Sequence, residues 1–281
     1  MKPVETLPLR EQQQAPCSPR TVTYRLSRWT GLWRALFPRE RLFQLILLAV
    51  FLGGWEYLGR VSPDYAFAPP SSVFPAAREM IESGELQEAV LDSAVVLLLG
   101  FALAAVVGNA VGFAMGWSRV LGRTLDPFLA ALYVVPLVAF VPVIIVWVGI
   151  GSSAKILVVF LLAVFEIVIN AQAGVKNVDP PLIDAARVFG AGRAQVLRHV
   201  LLPASLPFVF AGLRIGVVRA LKGMVLAEML LAVTGLGALI IKYANSFQVD
   251  RVLVAILAIA VMGVALYGAV AAVERRALRW R

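Results

Sequence analysis

Among the ionisable residues inside stretches otherwise apolar enough for a lipid bilayer are Glu166, Arg219, Lys222 and Glu228. A charge at the bilayer centre costs about 2.5–3.5 kcal/mol on insertion scales, so each calls for a partner or a water-filled cavity. Arg219 and Lys222 are three residues apart and share one face of a helix. Two chemistries are open to them. Glu166 can pair with one of them at mid-depth, or the two cations can face a central pathway and attract an anion. The four are therefore candidate pathway or substrate residues. Other chemistry is scarce, because Cys17 and His199 are single residues of their kinds. Neither a Cys/His metal cluster nor an oriented Cys–His nucleophile pair can be built from one chain. No GxxxxGK[ST] loop occurs, so any ATP consumed must bind another polypeptide. The chain is expected to hold no catalytic, cofactor or metal site, and so not to be an enzyme.

The surrounding composition explains why charge position matters. Of 281 residues, 60% are hydrophobic and only 15% charged, with a mean hydropathy of +0.83. Soluble domains are about 45–50% apolar and about 25% charged, so a water-soluble enzyme and a disordered chain are both excluded. The net charge of +9 is not a nucleic-acid signal here. About 20 apolar residues cross a bilayer, and charge-free or nearly charge-free stretches give six spans, about 42–59, 93–117, 127–150, 156–175, 205–230 and 252–273. The fold class expected is an all-α membrane protein with six transmembrane helices. Residues 42–276 would form the membrane domain, 1–41 a polar basic tail and 277–281 a short C-terminal end. Pro136 and Pro142 lie within the third span and remove backbone donors there, so a bend is expected.

With the N-terminus inside, 18 of the 26 Lys and Arg residues fall in cytoplasmic segments and five outside. Loop bias of this kind orients membrane proteins, and it puts both termini in the cytoplasm. At 1.5 Å per residue from Ser205, Arg219 lies about 21 Å and Lys222 about 25 Å along the fifth span. Arg214, at about 14 Å, can snorkel back to the inner surface.

The segment 177–203, between the fourth and fifth spans, is too polar for lipid and too patterned for a linker. Asp179 can cap a helix starting at Pro180, and Asp184 stands in its early turns. Leu182, Ala185, Ala186 and Phe189 then recur at helical spacing. Gly190 and Gly192 can end the helix, and a second short helix with Arg193, Arg198 and His199 runs to Leu202 and Pro203. The expected product is a helical elbow with a small apolar face beside basic residues, suited to docking a partner. An amphipathic hairpin on anionic lipid is the alternative.

Asp184-Ala185-Ala186, Gly190 and Val200-x-Leu202-Pro203 keep the spacing of the EAA signature. They resemble the permease subunits of binding-protein-dependent ABC importers, with Asp184 standing for Glu and Val200 for Ile. Phe67-Ala68-Pro69-Pro70-Ser71-Ser72-Val73, Trp147-Val148-Gly149-Ile150-Gly151, and Glu228-Met229-Leu230 with Thr234-Gly235-Leu236-Gly237 resemble the nitrate, sulfonate, taurine and bicarbonate branch. Glu166 departs from the branch, which usually has proline there.

The resemblance implies a type I importer permease fold in the inner membrane. In it Asp184, Ala185, Ala186, Phe189, Gly190, Leu202 and Pro203 form a coupling helix for a cytoplasmic ATPase, which binds ATP and Mg²⁺. It also implies an extracytoplasmic substrate-binding protein, a second copy of the chain, and a small anionic substrate such as a sulfonate, taurine, nitrate or an aromatic acid, although members of the branch also carry neutral or cationic thiamine-precursor-like compounds. An ion- or proton-coupled carrier using Glu166, Glu228 and the two cations is the competing function.

Overall fold

The computed structural model describes residues 39–63, 67–231 and 233–278. The expectations for the N-terminal tail up to residue 38, Cys17 included, and for Arg279 and Arg281 lie outside these. The chain divides into two compact units, residues 1–51 and 52–281. Within the first, residues 39–51 are helical. The rest of this section concerns the second, together with the helix that enters it.

The described residues are helical almost throughout. Helix α1 (Arg39–Val61) leads to α2 (Pro70–Glu82), with Pro70 at the first helical position, where its missing N–H is harmless. Helix α3 (Glu85–Trp117) follows, then α4 (Arg119–Val134), a 3-10 turn (Leu137–Phe140) and α5 (Val141–Val148). Next come α6 (Ser152–Lys176), α7 (Pro180–Val188), α8 (Arg193–Leu231), α9 (Leu236–Asn245) and α10 (Val249–Ala277). Five helices are long and apolar enough to cross a membrane: α1, α3, α6, α8 and α10.

The third span differs from its expected form. In place of one helix over 127–150, α4 and the segment Leu137–Val148 meet at 86°. Pro136 stands at the break with φ −68° and ψ 92°, and Val135 is extended, as a residue before proline tends to be. Pro142 lies in the first turn of α5, where it breaks nothing. The segment counts as a sixth span only if the bent pair crosses as a unit.

Helix α6 is the core of the bundle, with α3 on one side and α8 on the other. Small residues let these helices approach. Along α3, a Cβ on Gly108 would meet Ile167 at 2.9 Å, and one on Gly112 would meet the Val168 carbonyl oxygen at 2.6 Å. With no hydrophobic drive between helices in lipid, such close van der Waals packing is a main source of association. Val96, Leu97, Val159, Ile167, Val217 and Met224 fill the interface.

Candidate functional site

The elbow is present as a separate element, and its details differ from the sequence reading. Asp179 occupies the cap position of α7, but its side chain makes no capping hydrogen bond. Pro180 starts the helix. Gly190 adopts φ +81°, its N–H donates to the Arg187 carbonyl at 2.9 Å, and Ala191 N–H donates to the Ala186 carbonyl at 3.0 Å. This is the left-handed stop that glycine permits. Gly192, expected to help end the helix, instead caps the start of α8, its N–H donating to Gln195 Oε1 at 2.8 Å.

The apolar residues of α7 divide between two faces. Ile183 and Ala186 turn inward and pack on a small core of Val175, Val178, Val196 and Leu201. Leu182, Ala185, Val188 and Phe189 stay exposed, Val188 at 85% and Phe189 at 90%. Ala186 therefore supports the elbow from beneath, and Val188 joins the outward face in its place. Asp184 is also exposed, 3.8 Å from Arg187.

Leu202 and Pro203 do not end a short helix. Helix α8 runs unbroken from Arg193 to Leu231, with a π turn at Leu197–Leu201. Pro203 supplies no N–H to the preceding turn, and the wider π turn absorbs that loss without interrupting the helix. The elbow is thus continuous with α8, and separated from α6 only by the short link at 177–179.

Further along α8, Arg219 Nε donates to Glu166 Oε1 at 2.8 Å, and Nη2 lies 2.8 Å from the same oxygen. Tyr133 Oη donates to that oxygen at 3.1 Å. Helices α4 and α8 thus each send one side chain to a single carboxylate on α6. The Arg219 side chain keeps 45% of its exposure against 10% for Glu166. A cavity of about 300 Å³ opens here at the α4–α5 break, lined by Tyr133, Pro136, Leu162, Phe165, Glu166 and Arg219. Lys222 is exposed and has neither an ion pair nor a hydrogen bond among the described residues. Arg214 pairs with Glu274 on α10 and stands over the Tyr267 ring at 5.9 Å, so a protein partner replaces the expected snorkelling.

Glu228 does not share that cavity. Its side chain is fully buried, accepting from Ser93 Oγ at 2.8 and 2.9 Å and from Gly237 N–H at 2.9 Å. Sequence reasoning also passed over Lys155, counted only as a loop cation. It is 1% exposed, and Nζ donates to the Thr234 carbonyl at 2.7 Å and to Thr234 Oγ1 at 2.8 Å. A signal was available: a lysine in the first turn of α6 lies at the positive end of the helix dipole, which disfavours a cation without compensation.

Nothing in this geometry resembles a nucleophile with its base. It shows a bundle with paired charges at depth, a broken helix beside a cavity, and an amphipathic elbow at one end. Residues 100–279 match the family described as "Binding-protein-dependent transport system inner membrane component", and the chain belongs to it. The taurine transport system permease protein TauC of Escherichia coli (strain K12) is 33% identical over 88% of this chain and 93% of its own length. A putative aliphatic sulfonates transport permease protein, SsuC of Bacillus subtilis (strain 168), is 34% identical over 84% and 87%. The riboflavin transport system permease protein RibX of Chloroflexus aurantiacus is also 34% identical, over 84% and 88%.

A chain of the MetNI methionine ABC transporter in inward-facing conformations shares the fold. Its TM-score is 0.61 at 20% identity, over 70% of this chain and 97% of that one. This protein is accordingly a multi-pass inner-membrane permease, the translocation subunit of an ABC importer, and a transport protein rather than an enzyme. Membership implies an ATPase and a substrate-binding protein as partners, and sets aside the ion-coupled carrier.

Proposed function

We propose that the elbow formed by α7 and the start of α8 is the element through which the partner ATPase drives this permease. The observation that carries the reading is the exposed apolar face of α7, with Phe189 and Val188 almost wholly solvent-accessible. Exposed large apolar side chains on a short rigid helix mark a docking surface. Arg187, Arg193 and Arg198 lie in the same segment and are exposed, and the excess of Lys and Arg on this side of the spans supports a cytoplasmic location with both termini inside. Asp184, Ala185, Phe189 and Gly190 are the outer parts of the elbow. Ala186, Leu202 and Pro203 join it to the bundle.

Nucleotide closure of the ATPase would shift the elbow as a rigid body, and α6 and α8, attached to it at either end, would tilt between inward-open and outward-open states. ATP and Mg²⁺ act on the partner and not on this chain. A substrate-binding protein delivers cargo at the opposite end.

A second copy of the chain completes the pathway. Lys222 supports this: exposed and without a partner among the described residues, on a membrane-crossing helix, it must face water or protein. Two copies would place two such cations around one pathway. The substrate proposed is a small anion, with Lys222 a cation free of partners among the described residues and Arg219, held by Glu166, lining the cavity. The taurine and aliphatic sulfonate permeases among the relatives are named for cargo that carries a sulfonate group, which agrees with a cation in the pathway, whereas the riboflavin permease is not. The test is uptake of radiolabelled taurine and nitrate by the assembled complex in proteoliposomes. Lys222→Gln should lower uptake at least tenfold with ATPase binding intact. Unchanged anion uptake by that variant removes the anion reading.

A further inference from the structure

At the end of the bundle away from the elbow, two buried charges converge on one turn. Lys155 lies in the first turn of α6, and Glu228 near the last turn of α8. Each is at the end of its helix where the macrodipole opposes its charge. Their compensation comes from the residues 234–237. The Thr234 carbonyl and hydroxyl take the Lys155 ammonium at 2.7 and 2.8 Å. Gly237 N–H, at the start of α9, donates to Glu228 Oε2 at 2.9 Å. Ser93 of α3 closes the set: its Oγ donates to Glu228 and accepts from Leu236 N–H at 2.8 Å.

The backbone is shaped for this contact. Gly235 has φ +98°, and a Cβ there would run into the Glu228 carboxylate. A Cβ on Gly237 would meet the Val225 carbonyl oxygen at 2.9 Å. Leu236 is fully buried. Everything about the turn fastens α9 to three helices, with charged groups that cannot be released cheaply from a buried site.

The two helices so fastened are those that flank the elbow. Helix α6 leads into it at Lys176, and α8 leaves it at Arg193. The 25 residues of α6 span about 37 Å, so the elbow and the turn at 234–237 sit at opposite ends of the same pair. We infer that Lys155, Glu228 and Ser93 are positioning residues of transport. They clasp the 234–237 turn, so that motion entering α6 and α8 at the elbow carries α9 with it. The inference rests on the elbow being the ATPase-driven element. Helix α9 also bears an ionic surface, with Lys242 and Tyr243 both bonded to Glu85 of α3. Its displacement therefore changes the face presented at that end of the bundle.

The experiment uses the complex of the full chain with its ATPase in nanodiscs, with Cys17→Ser removing the native thiol. A fluorescent maleimide is placed at the tip of α9 through Asn245→Cys, or on the elbow through Ala194→Cys, an exposed position outside the apolar face of α7. Mg-ATP with orthovanadate should shift both probes in the parent. In Glu228→Gln the elbow probe should respond as before while the α9 response falls at least threefold. Thr234→Val, which removes the hydroxyl that accepts from Lys155 and leaves the Thr234 carbonyl bond, should give a smaller loss and carries the test if the first variant fails to assemble. An α9 response equal to the parent's in either assembled variant overturns the clasp. An elbow probe silent in the parent overturns the elbow reading itself, which separates the two failures.

Discussion

Arg219 Nε lies 2.8 Å from Glu166 Oε1, joining α8 to α6 within the depth of the bundle. Breaking a buried pair by removing one partner typically costs about 3–5 kcal/mol, because the other charge is left uncompensated. Arg219 is nearly half-exposed, so the loss here should be smaller, about 1–2 kcal/mol. Arg219→Gln and Glu166→Gln should each lower the thermal midpoint of the detergent-solubilised chain. The double variant should lose less than the sum, since neither charge is then stranded. Additive losses would show that the two do not act as a pair.

Tyr133 meets the same carboxylate oxygen at 3.1 Å from the end of α4. A hydrogen bond to a charged group contributes about 1.5–3 kcal/mol in favourable geometry. Tyr133 is half-exposed, so Tyr133→Phe should destabilise by less, about 1 kcal/mol, and loosen the α4–α5 break. Faster proteolysis around Val135 and Pro136 in nanodiscs is the expected readout, and an unchanged digestion pattern would count against an anchoring role.

Gly112 is one of the close approaches of α3 to α6, and a Cβ there would strike backbone, the Val168 carbonyl oxygen at 2.6 Å, as well as the Ala171 Cβ. Backbone cannot swing aside as a side chain can, so Gly112→Val should prise the helices apart. Overpacking of this kind costs about 1–3 kcal/mol. Gly268 meets nothing within 4 Å, so Gly268→Ala should leave the midpoint within a degree or so. The thermal midpoints of the two variants, measured side by side, check the contrast.

Residues 1–41 aside, the architecture was largely readable because apolar length and charge placement dictate where a chain can cross a bilayer. The elbow was readable because Pro180 and Gly190 carry backbone constraints of their own. What could not be read depends on tertiary packing. Proline fixes φ at residue 136, but the 86° turn there is set by how α5 settles on α6. Ala186 turns inward for a similar reason: periodicity gives a helix, while the core of Val178 and Val196 decides which side is down. Glu228 was grouped with the pathway charges because sequence shows only its depth. Its partners, Ser93 and Gly237, are fixed by the turn at 234–237. Lys155 was overlooked although its place at a helix N-terminus signals a compensating group.

Phe189 and Ala186 separate docking from folding. Phe189→Asp alters a side chain 90% exposed, and surface changes of that sort usually stay within about 0.5 kcal/mol. Membrane insertion and thermal midpoint should hold while copurification of the ATPase falls at least tenfold. Ala186→Asp buries a charge against Val178 and Val196 and should lower both. Equal stability losses in the two variants would contradict the two-faced elbow.

The most direct measurement replaces Phe189 with a photoreactive benzoylphenylalanine in the full chain, expressed with its ATPase and irradiated in native membranes. The account predicts one dominant cross-linked product with the ATPase subunit, weakened when vanadate-trapped nucleotide changes the interface. Adducts to lipid alone, in membranes where the ATPase still copurifies with the permease, would contradict it.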